Sequence, residues 1–531
     1  MTPRHSAQHQ LITLIGYFAV VMFGLFWWTP GNLPQNFQGW GHLADYTLFG
    51  LTSYVVWLPI IMKMLMWQVS RHIPEVSPTP PPKPARGLRV AFITTYVPNS
   101  EPIELLKQTL PAMLATHYPH DTWLLDEGND DTARILCAQL GVHHFSRSGR
   151  QHYNQPEGQF ARKTKGGNHN AWYDLYGQNY DFVAQIDTDF VPSRYFLERT
   201  LGYFQDPHVG FVGTPQIYGN TAHSLVAKGA AEQTYNFYGP LMRGLHGFGA
   251  TLLIGANHVI RVDALKSVGY YSAHITEDLL TGMKLHAHGW TSRYVPEVLA
   301  IGEGPTSWKA FFDQQKRWAY GCMHILFHYT PKYLRHLSWR QRFYYLWIQQ
   351  HYFSGLAMLV SLVGLTCYFG FGLQTANLTL IPFLCAYLGL MVVLEAIDLW
   401  LQNFNIRPYL ERGVLWSAII INIAVWPTFL MAFFALFRRR KLGYKVTPKG
   451  HKTKKDPSLA QLFAPHFVIG GSALVLLASS IITQRQSHIM MFWAALTAVS
   501  LLLVPFAPWL LAKSGLSRPL NPVATTRRSE L

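Results

Sequence analysis

Cysteine is scarce in this sequence of 531 residues, and the cysteines that are present lie far apart. They are Cys137, Cys322, Cys367 and Cys385, and no two of them have the spacing of metal ligands. Two fall in predicted cytosolic sequence and two in predicted membrane helices. We therefore expect neither disulfide bonds nor a zinc site.

Charged residues are also few. They make up 14% of the sequence against 49% hydrophobic residues, which is low for a soluble enzyme. The apolar residues are concentrated in blocks towards both ends, and this split predicts a catalytic domain bracketed by membrane helices. Acidic residues are scarcer than basic ones, giving a net charge of +16. Much of this charge lies beside apolar segments, at 438–455, Arg527 and Arg528, which favours membrane topology over nucleic-acid binding.

Two apolar segments open the chain. Residues 11–28 are long for a signal-peptide core and lack a small-residue cleavage site, so we expect a retained membrane helix. Residues 46–67 form a second span, and the loop 29–45 between the two contains no Lys or Arg. Because the outer flanks carry the basic residues, both outer ends are predicted to lie in the cytosol.

A soluble α/β domain is predicted at 88–330, after a proline-rich linker at 74–87. Its short apolar runs at 90–95, 123–125 and 182–186 are typical of buried parallel strands. The segments between these runs have helical periodicity, as an α/β domain requires.

The sequence after this domain is again mostly apolar. The segment 333–350 mixes Arg, Trp and Tyr, which is typical of a helix that lies in the membrane interface. Long apolar spans follow, at 351–372, 380–401, 463–482 and 489–511. Glu395 and Asp398 fall late in one of them, and an intramembrane carboxylate is a candidate for lining a channel.

A further apolar stretch, 414–437, is also long enough to cross the membrane. If it crossed, the basic run 438–455 would lie outside the cell, against the positive-inside rule. We therefore predict that this stretch lies along the interface or re-enters, which leaves six spans. The predicted organisation is two transmembrane helices (1–73), a linker (74–87), a catalytic domain (88–330), interfacial and two transmembrane helices (331–437), a cytosolic loop (438–456), two transmembrane helices (457–512) and a basic tail (513–531).

Short polar motifs follow one another through the soluble domain. Asp187-Thr188-Asp189 comes directly after the run 182–186, at the carboxyl end of a predicted strand, where open α/β sheets bind ligands. Two carboxylates one residue apart can share a divalent cation with a diphosphate. An acidic turn is the alternative interpretation, since the pattern is common by chance.

Thr276-Glu277-Asp278 stands before a predicted amphipathic helix at 279–288. Taken alone it favours a helix cap, with Thr276 as the capping residue and acidic residues in the first turn. The functional interpretation makes Asp278 the general base that removes a proton from an acceptor hydroxyl.

Gln314, Arg317 and Trp318 form a third motif at helical spacing. Gln314 and Arg317 share a face and can donate hydrogen bonds to a diphosphate. Trp318 offers an aromatic plane on which a sugar ring can stack. An amphipathic helix with an anchoring Trp is the alternative, but the ordered set of three motifs makes coincidence a poor explanation.

With these motifs in this order before membrane spans, the chain resembles the processive family 2 glycosyltransferases. These are the cellulose synthases, with hyaluronan, chitin and curdlan synthases as relatives. The resemblance runs from residue 88 to about 455 and the flanking spans, and it implies a GT-A fold, an inverting single displacement and Mg²⁺ or Mn²⁺. By motif match, it assigns the metal and UDP diphosphate to Asp187 and Asp189, catalysis to Asp278 with Glu277, the diphosphate to Gln314 and Arg317, and the acceptor sugar to Trp318.

Further matches extend the implied nucleotide site. Thr95-Tyr96 and Glu101 resemble the first nucleotide-binding turn of the family. Asp126 would contact the uridine, within Asp126-Glu127-Gly128, where the family usually has Asp-Asp-Gly. Lys165 begins a Lys-Gly-Gly-Asn segment that resembles a Lys-Ala-Gly-Asn element near the nucleotide.

A last match lies in the loop that topology places in the cytosol. Residues 444–449 resemble the Phe-x-Val-Thr-x-Lys gating loop of cellulose synthases, through Tyr444, Val446, Thr447 and Lys449. The pattern favours a β-1,4-glucan made from UDP-glucose, with mixed-linkage glucan, curdlan, chitin and hyaluronan left open.

The implied activity is polymerisation of a UDP-sugar in the cell membrane, with the catalytic domain in the cytosol and the growing polysaccharide leaving through the spans. A non-processive transferase acting on a lipid carrier and an inactive export or scaffold protein are the competing interpretations. An accessory membrane or periplasmic subunit is compatible with the sequence, and no nucleic acid is expected as a partner. The tail 513–531 is too short for a cyclic-di-GMP-binding barrel, so we expect no such activation through this chain.

Overall fold

The computed structural model describes residues 3–34, 40–73, 81–373, 375–438 and 457–514. The predicted gating-loop residues Tyr444, Val446, Thr447 and Lys449 lie outside the described residues. Their assignment therefore stays a prediction.

The described strands and helices follow one another along the chain in the order of an α/β domain between apolar helices. The strands are β1 (Val90–Tyr96), β2 (Asp121–Asp126), β3 (His143–Phe145), β4 (Phe182–Ile186), β5 (Val191–Pro192), β6 (Val209–Gly213), β7 (Ile217–Tyr218), β8 (His258–Arg261), β9 (Thr291–Tyr294) and β10 (Ala300–Gly302). The helices are α1 (Pro3–Trp27), α2 (Trp40–Ser70), α3 (Ile103–Leu114), α4 (Asp131–Leu140), α5 (Lys165–Tyr176), α6 (Phe196–Leu201), α7 (Leu225–Asn236), α8 (Met242–Gly247), α9 (Val262–Ser267), α10 (Glu277–Ala287), α11 (Trp308–His328), α12 (Thr330–Tyr333), α13 (Trp339–Gln350), α14 (Ser354–Thr366), α15 (Leu380–Leu401), α16 (Trp416–Phe437), α17 (Leu459–Leu462), α18 (Ala464–Thr483), α19 (His488–Leu503) and α20 (Ala507–Ser514).

The main sheet is mixed and has the strand order β3-β2-β1-β4-β8-β6-β9. β1 pairs in parallel with both β2 and β4, whereas β8 runs antiparallel to β4 and β6. A smaller sheet, in the order β5-β10-β7, lies beside the segment that follows β4. This mixed sheet between apolar helices agrees with the predicted GT-A class.

Burial on both faces explains why the strands appear as continuous apolar runs in the sequence. Phe92 of β1 packs into one hydrophobic core and its neighbour Ile93 packs into another, and both are fully buried. Successive side chains of a strand point to opposite faces of a sheet, so a strand with a core on each side needs no polar alternation. The runs predicted at 90–95, 123–125 and 182–186 are confirmed as β1, β2 and β4.

Most of the apolar helices outside the catalytic domain are long enough to cross a membrane. In the described residues, seven helical segments are long and apolar enough to cross a membrane, by length and composition: Ser6–Trp27, His42–Ser70, Trp339–Phe371, Leu380–Phe404, Trp416–Phe437, Ala464–Thr483 and His488–Leu510. They indicate a multi-pass membrane protein. The predicted interfacial helix at 333–350 begins later, at Trp339, and runs through a short helical turn at His351–Phe353 into α14.

The helix α16, for which an interfacial position is predicted, packs against helices of the catalytic domain. Glu232 on α7 accepts a hydrogen bond from the backbone N–H of Ala418 at 2.9 Å, and so caps the first turn of α16. A Cβ atom on Gly229 would lie 2.7 Å from the carbonyl oxygen of Ser417, so the two helices nearly touch. The other end of α16 lies near α11, where the rings of Phe327 and Phe437 are 6.5 Å apart.

Candidate active site

A cavity of about 1780 Å³ opens where the carboxyl ends of β1, β2 and β4 meet. In open α/β sheets ligands bind at this edge, at the point where the order of the strands reverses. The cavity brings together predicted site residues from distant parts of the sequence: Thr95, Glu101, Lys165, Asp187, Asp189, Glu277, Asp278, Gln314, Arg317 and Trp318.

Two predicted nucleotide-binding residues, Tyr96 and Asp126, are buried. Burial, assisted by nearby carboxylates, raises the pKa of Tyr96 to about 12. Asp126 accepts hydrogen bonds from the backbone N–H groups of Gly128 at 2.9 Å and Asp130 at 2.6 Å. Asp126 thus shapes the turn after β2, and its contact with uridine remains a prediction.

The residues of the Asp187-Thr188-Asp189 motif have different surroundings. Asp189 is 2% exposed, and one of its carboxylate oxygens accepts a hydrogen bond from the backbone N–H of Glu303 at 3.2 Å. The side chain of Asp187 is 36% exposed and accepts a hydrogen bond from Lys165 Nζ at 2.5 Å. Thr188 lies between them with its hydroxyl bonded to the carbonyl oxygen of Thr95, which fixes the motif to β1.

The Thr276-Glu277-Asp278 turn does not adopt the capping arrangement that the sequence alone favours. Thr276 is at the N-cap position of α10, but its side chain makes no capping hydrogen bond. Its hydroxyl lies 3.0 Å from Nδ1 of His274 instead. Burial raises the pKa of both Glu277 and Asp278, and the charge of Asp278 raises that of Glu277 further. Two carboxyl groups with raised pKa values in a cavity are typical of acid–base chemistry.

Lys165 connects this turn with the aspartate motif. Its ammonium group donates to the carbonyl oxygen of Gly255 as well as to Asp187. A Cβ atom on Gly255 would lie 3.1 Å from Oδ2 of Asp278 and 4.0 Å from Nζ of Lys165. The positive charge therefore lies near both carboxylate groups, and it partly offsets the rise in the pKa of Asp278 that burial causes.

The third motif lies on α11, which begins at Trp308. Ser307 caps this helix by accepting a hydrogen bond from the N–H of Ala310 at 3.3 Å. Gln314, Arg317 and Trp318 face the cavity, and Gln314 is 8% exposed. A Cβ atom at Gly321 would lie 2.5 Å from Thr276, so only glycine allows the helix to pack this closely on the turn.

One pair of residues near the turn after β2 is not predicted from the sequence. Arg147 is fully buried, and its guanidinium donates two hydrogen bonds to Glu127, at 2.9 and 2.7 Å. It also donates to the carbonyl oxygens of Tyr153 and Ala161, both at 3.0 Å. Glu127 and Arg147 therefore hold the loop that supplies Arg150 and other cavity residues.

We predict that Glu127→Ala destabilises the catalytic domain. It leaves the fully buried guanidinium of Arg147 without its carboxylate, and breaking a buried ion pair costs roughly 3–5 kcal/mol. The expected result is a clearly lower unfolding temperature in detergent and weaker binding of UDP. Arg134→Ala is the matched control, because Arg134 and Asp131 form an exposed pair that contributes at most about 1 kcal/mol. Equal unfolding temperatures in both variants would contradict the prediction.

The cavity continues towards the membrane helices. Lys63 on α2 forms an ion pair with Asp398 on α15, and its ammonium lies 3.7 Å from Glu395. The side chains of Gln233 and Asn422 are joined by a hydrogen bond of 2.5 Å across α7 and α16. Glu395 and Asp398 line the cavity, as predicted for channel candidates. Lys63 of α2 and Asn422 of α16 also line it, and no sequence motif includes these two residues.

The donor set suits a hard divalent cation that also binds substrate. In the described part of the chain, no group of three or more His, Cys, Asp and Glu side chains is placed to hold a metal ion. Asp187 and Asp189 nevertheless supply carboxylate oxygens on the cavity wall. Mg²⁺ commonly binds through one or two carboxylates, with phosphate oxygens and water completing its shell. The two residues therefore fit a cation that arrives with a diphosphate.

Comparison with known families agrees with this geometry. The family model described as glycosyl transferase family group 2 matches residues 182–514, which is more than half of the chain. The chain belongs to this family. The match takes in the Asp187-Thr188-Asp189 motif, the Thr276-Glu277-Asp278 turn and α11, so the predicted family and the GT-A class of the domain are confirmed.

Relatives within this glycosyltransferase family include bacterial cellulose synthases. The chain is 27% identical over 387 residues to the UDP-forming cellulose synthase catalytic subunit of Pseudomonas fluorescens (strain SBW25), a match that covers 71% of this chain and 49% of the relative. It is 26% identical over 478 residues to the subunit of the same name in Xanthomonas axonopodis pv. citri (strain 306), covering 86% and 61%. The chain thus spans about half to three fifths of the length of these relatives.

Solved structures of glycosyltransferases are also similar. A mannosyltransferase of Pyrobaculum calidifontis, in complex with GDP-Man and Mn²⁺, is 14% identical with a TM-score of 0.48, covering 74% of this chain and 100% of that one. A glucosyl-3-phosphoglycerate synthase of Mycobacterium tuberculosis, in complex with Mn²⁺, UDP and glucosyl-3-phosphoglycerate, is 17% identical with a TM-score of 0.31, covering 44% and 78%. Both scores are too low to add to the family assignment.

Proposed function

We propose that this protein is a processive, inverting glycosyltransferase that polymerises a UDP-sugar and passes the polymer across the membrane. UDP-glucose and a β-1,4-glucan are the favoured substrate and product. The observation that carries the proposal is a single cavity, which joins all three motifs to a wall formed by α2, α15 and α16, where Lys63, Asp398 and Asn422 are polar. The names of the relatives, UDP-forming cellulose synthase catalytic subunits, support the choice of nucleotide and polymer.

Asp278 is proposed as the general base. This half-buried residue lines the cavity, and its Oδ1 accepts the N–H of Leu279 at 2.8 Å, which holds the side chain in one orientation. In that position it can take the proton of an acceptor hydroxyl while the sugar transfers, an effect typically worth about 10²–10⁴-fold. Glu277 is buried beside it, and burial together with the charge of Asp278 raises the pKa of Glu277, which favours its protonated form.

The leaving diphosphate needs positive charge and hydrogen-bond donors. Lys165, Gln314 and Arg317 bring an ammonium, an amide and a guanidinium to the same cavity. Asp187 and Asp189 would hold a Mg²⁺ or Mn²⁺ ion together with the diphosphate. The positive charge of this ion would offset the negative charge that develops as UDP departs. Such preorganised electrostatic stabilisation is commonly the largest contribution to catalysis.

Trp318 is proposed to position the end of the growing polymer. It lies on the cavity wall one residue beyond Arg317, so a sugar stacked on its indole would be close to the diphosphate. Holding the acceptor hydroxyl in line with the reacting carbon is an orientation effect. The polymer would then move past Lys63, Asp398 and Asn422, which are polar side chains suited to sugar hydroxyls.

The topology that this function needs places α16 at the cytosolic interface. The cap from Glu232 at one end of α16 and the contact with α11 at the other support that position. A helix that crossed the membrane would meet a cytosolic domain at one end only. We expect a green fluorescent protein inserted in 438–456 to be fluorescent and alkaline phosphatase inserted there to be inactive. The same reporters after Leu373, between α14 and α15, should give the reverse pattern. Active phosphatase in 438–456 would make α16 a seventh span.

The decisive experiment supplies purified protein with radiolabelled UDP-glucose and Mg²⁺ or Mn²⁺, then digests the product with linkage-specific glucanases. A long, insoluble product sensitive to cellulase supports a processive β-1,4-glucan synthase, and polymer that resists cellulase changes the linkage. Polymer from UDP-N-acetylglucosamine alone changes the sugar. Only short products would favour the non-processive lipid-linked transferase, and no turnover of any UDP-sugar would favour an inactive export or scaffold protein.

A further inference from the structure

The base-bearing turn and the diphosphate-binding helix are joined by two histidines that the proposed mechanism does not use. His274 lies just before the Thr276-Glu277-Asp278 turn, and His324 lies on α11. Nε2 of His274 and Nδ1 of His324 are 3.0 Å apart. The contact links residues 50 positions apart in the sequence, and it lies two to three helical turns beyond Gln314 and Arg317 on α11.

The hydrogen bonds determine where the protons of this pair are. The backbone N–H of Thr276 donates to Nδ1 of His274 at 3.1 Å, and an amide nitrogen can only donate. Nδ1 of His274 is therefore unprotonated, so in the neutral ring Nε2 carries the proton and donates it to Nδ1 of His324. Burial, with the neighbouring His324, lowers the pKa of His274 to about 3, which agrees with a neutral ring.

The surroundings restrain both rings. His324 stacks against His328 with ring centres 4.3 Å apart, and against Tyr320 at 5.9 Å. Tyr329 meets the ring of His274 edge-on at 5.7 Å. A Cβ atom on Gly321 would lie 2.5 Å from Thr276, so α11 packs tightly on this turn one helical turn before His324. The hydrogen bond between the two histidines therefore joins the turn before α10 to α11, and moving these two elements apart would break it.

We infer that His274 and His324 are positioning residues, which hold the turn that carries Asp278 at a set spacing from the helix that carries Gln314 and Arg317. The effect on catalysis rests on the proposed function, whereas the linkage itself does not. The base acts on the acceptor and α11 binds the departing diphosphate, so their spacing determines whether attack and departure are in line. A displacement of about 1 Å at such a site can cost about 10²-fold in rate.

Substitutions by Asn and Gln test the hydrogen bonds of the two histidines one at a time. His324→Asn keeps an acceptor oxygen near the position of Nδ1, whereas His324→Leu has a similar size and no acceptor. His274→Asn keeps the acceptor for the Thr276 amide and loses the donor to His324, and His274→Gln does the reverse. His288→Leu is the matched control, because His288 is an exposed histidine at the far end of α10 from the turn.

The experiment measures kcat, the Kd of UDP and deuterium exchange of the peptide at 272–280. We expect His324→Leu to lower kcat about 10-fold to 10²-fold, with the Kd of UDP unchanged and faster exchange in this peptide. His324→Asn should recover most of the kcat, and His288→Leu should match the wild type. Both substitutions of His274 should lower kcat, but only His274→Gln should release the Thr276 amide to fast exchange.

Two outcomes would overturn the inference. One is wild-type exchange and wild-type kcat in His324→Leu. The other is an equal loss of kcat and UDP affinity with no recovery in His324→Asn, which would show a purely structural role. If the wild type turns over no UDP-sugar, the proposed function fails, and the exchange rates of the His274 and His324 variants alone decide whether the linkage exists.

Discussion

Asp278→Asn should lower the rate of sugar transfer by about 10²–10⁴-fold, because it removes the proposed proton acceptor. The substitution keeps the size of the side chain and the oxygen that accepts the N–H of Leu279, so the turn should keep its shape. We therefore expect UDP to bind to the variant in the presence of metal with the affinity of the wild type. The measurements are UDP release under saturating UDP-sugar and calorimetric titration with UDP.

The pH dependence of the wild type provides a second test of Asp278. Burial raises the pKa of this carboxyl, so its protonated form persists to a higher pH than in an exposed aspartate. Transfer should therefore rise with pH and level off above that raised pKa, since only the carboxylate accepts a proton. Any residual activity of Asp278→Asn should lack this rise.

Asp313→Asn is the matched control for this experiment. Asp313 lies on α11 near the site but is 45% exposed and paired with Lys309. Its substitution should leave both transfer and UDP binding unchanged. If Asp278→Asn keeps full transfer activity, the base must be sought elsewhere, with Glu277 as the next carboxyl in the cavity.

The sequence alone predicts the parts of the site that depend on residue type and order. Asp187 and Asp189 follow a buried strand, and Gln314 and Arg317 are three positions apart on a helix, so local rules place each group. The cavity confirms that these groups come together. The fold class could be predicted for the same reason, since apolar runs of strand length alternate with helical periodicity.

The parts that could not be predicted depend on tertiary pairing. Glu127 and Arg147 are 20 positions apart, and His274 and His324 are 50 apart. A single sequence does not show which residues pair across the fold, because a histidine on a helix looks the same whether or not it has a distant partner. The capping interpretation of Thr276 is wrong for a local reason, since its hydroxyl contacts His274, only two positions earlier, and makes no capping hydrogen bond.

Asp189→Asn should remove the dependence of UDP binding on metal together with most of the transfer activity. Asp189 is almost fully buried at the cavity wall, with one carboxylate oxygen oriented by the N–H of Glu303. An amide replaces one oxygen ligand with a nitrogen that does not bind Mg²⁺, and the negative charge is lost. Losing several kcal/mol of charge stabilisation corresponds to at least about 10²-fold in rate.

The two aspartate variants should differ in binding, and that difference separates their roles. Asp278→Asn should still bind UDP more tightly when Mg²⁺ or Mn²⁺ is added, whereas Asp189→Asn should bind it equally weakly with and without metal. The reason is that Asp189 would hold the cation with the diphosphate, while Asp278 would act only on the acceptor. Calorimetric titration of UDP into both variants, with each metal and with a chelator, measures the contrast. Metal-dependent binding that survives in Asp189→Asn would show that Asp189 is not needed to hold the cation, and would contradict its proposed role.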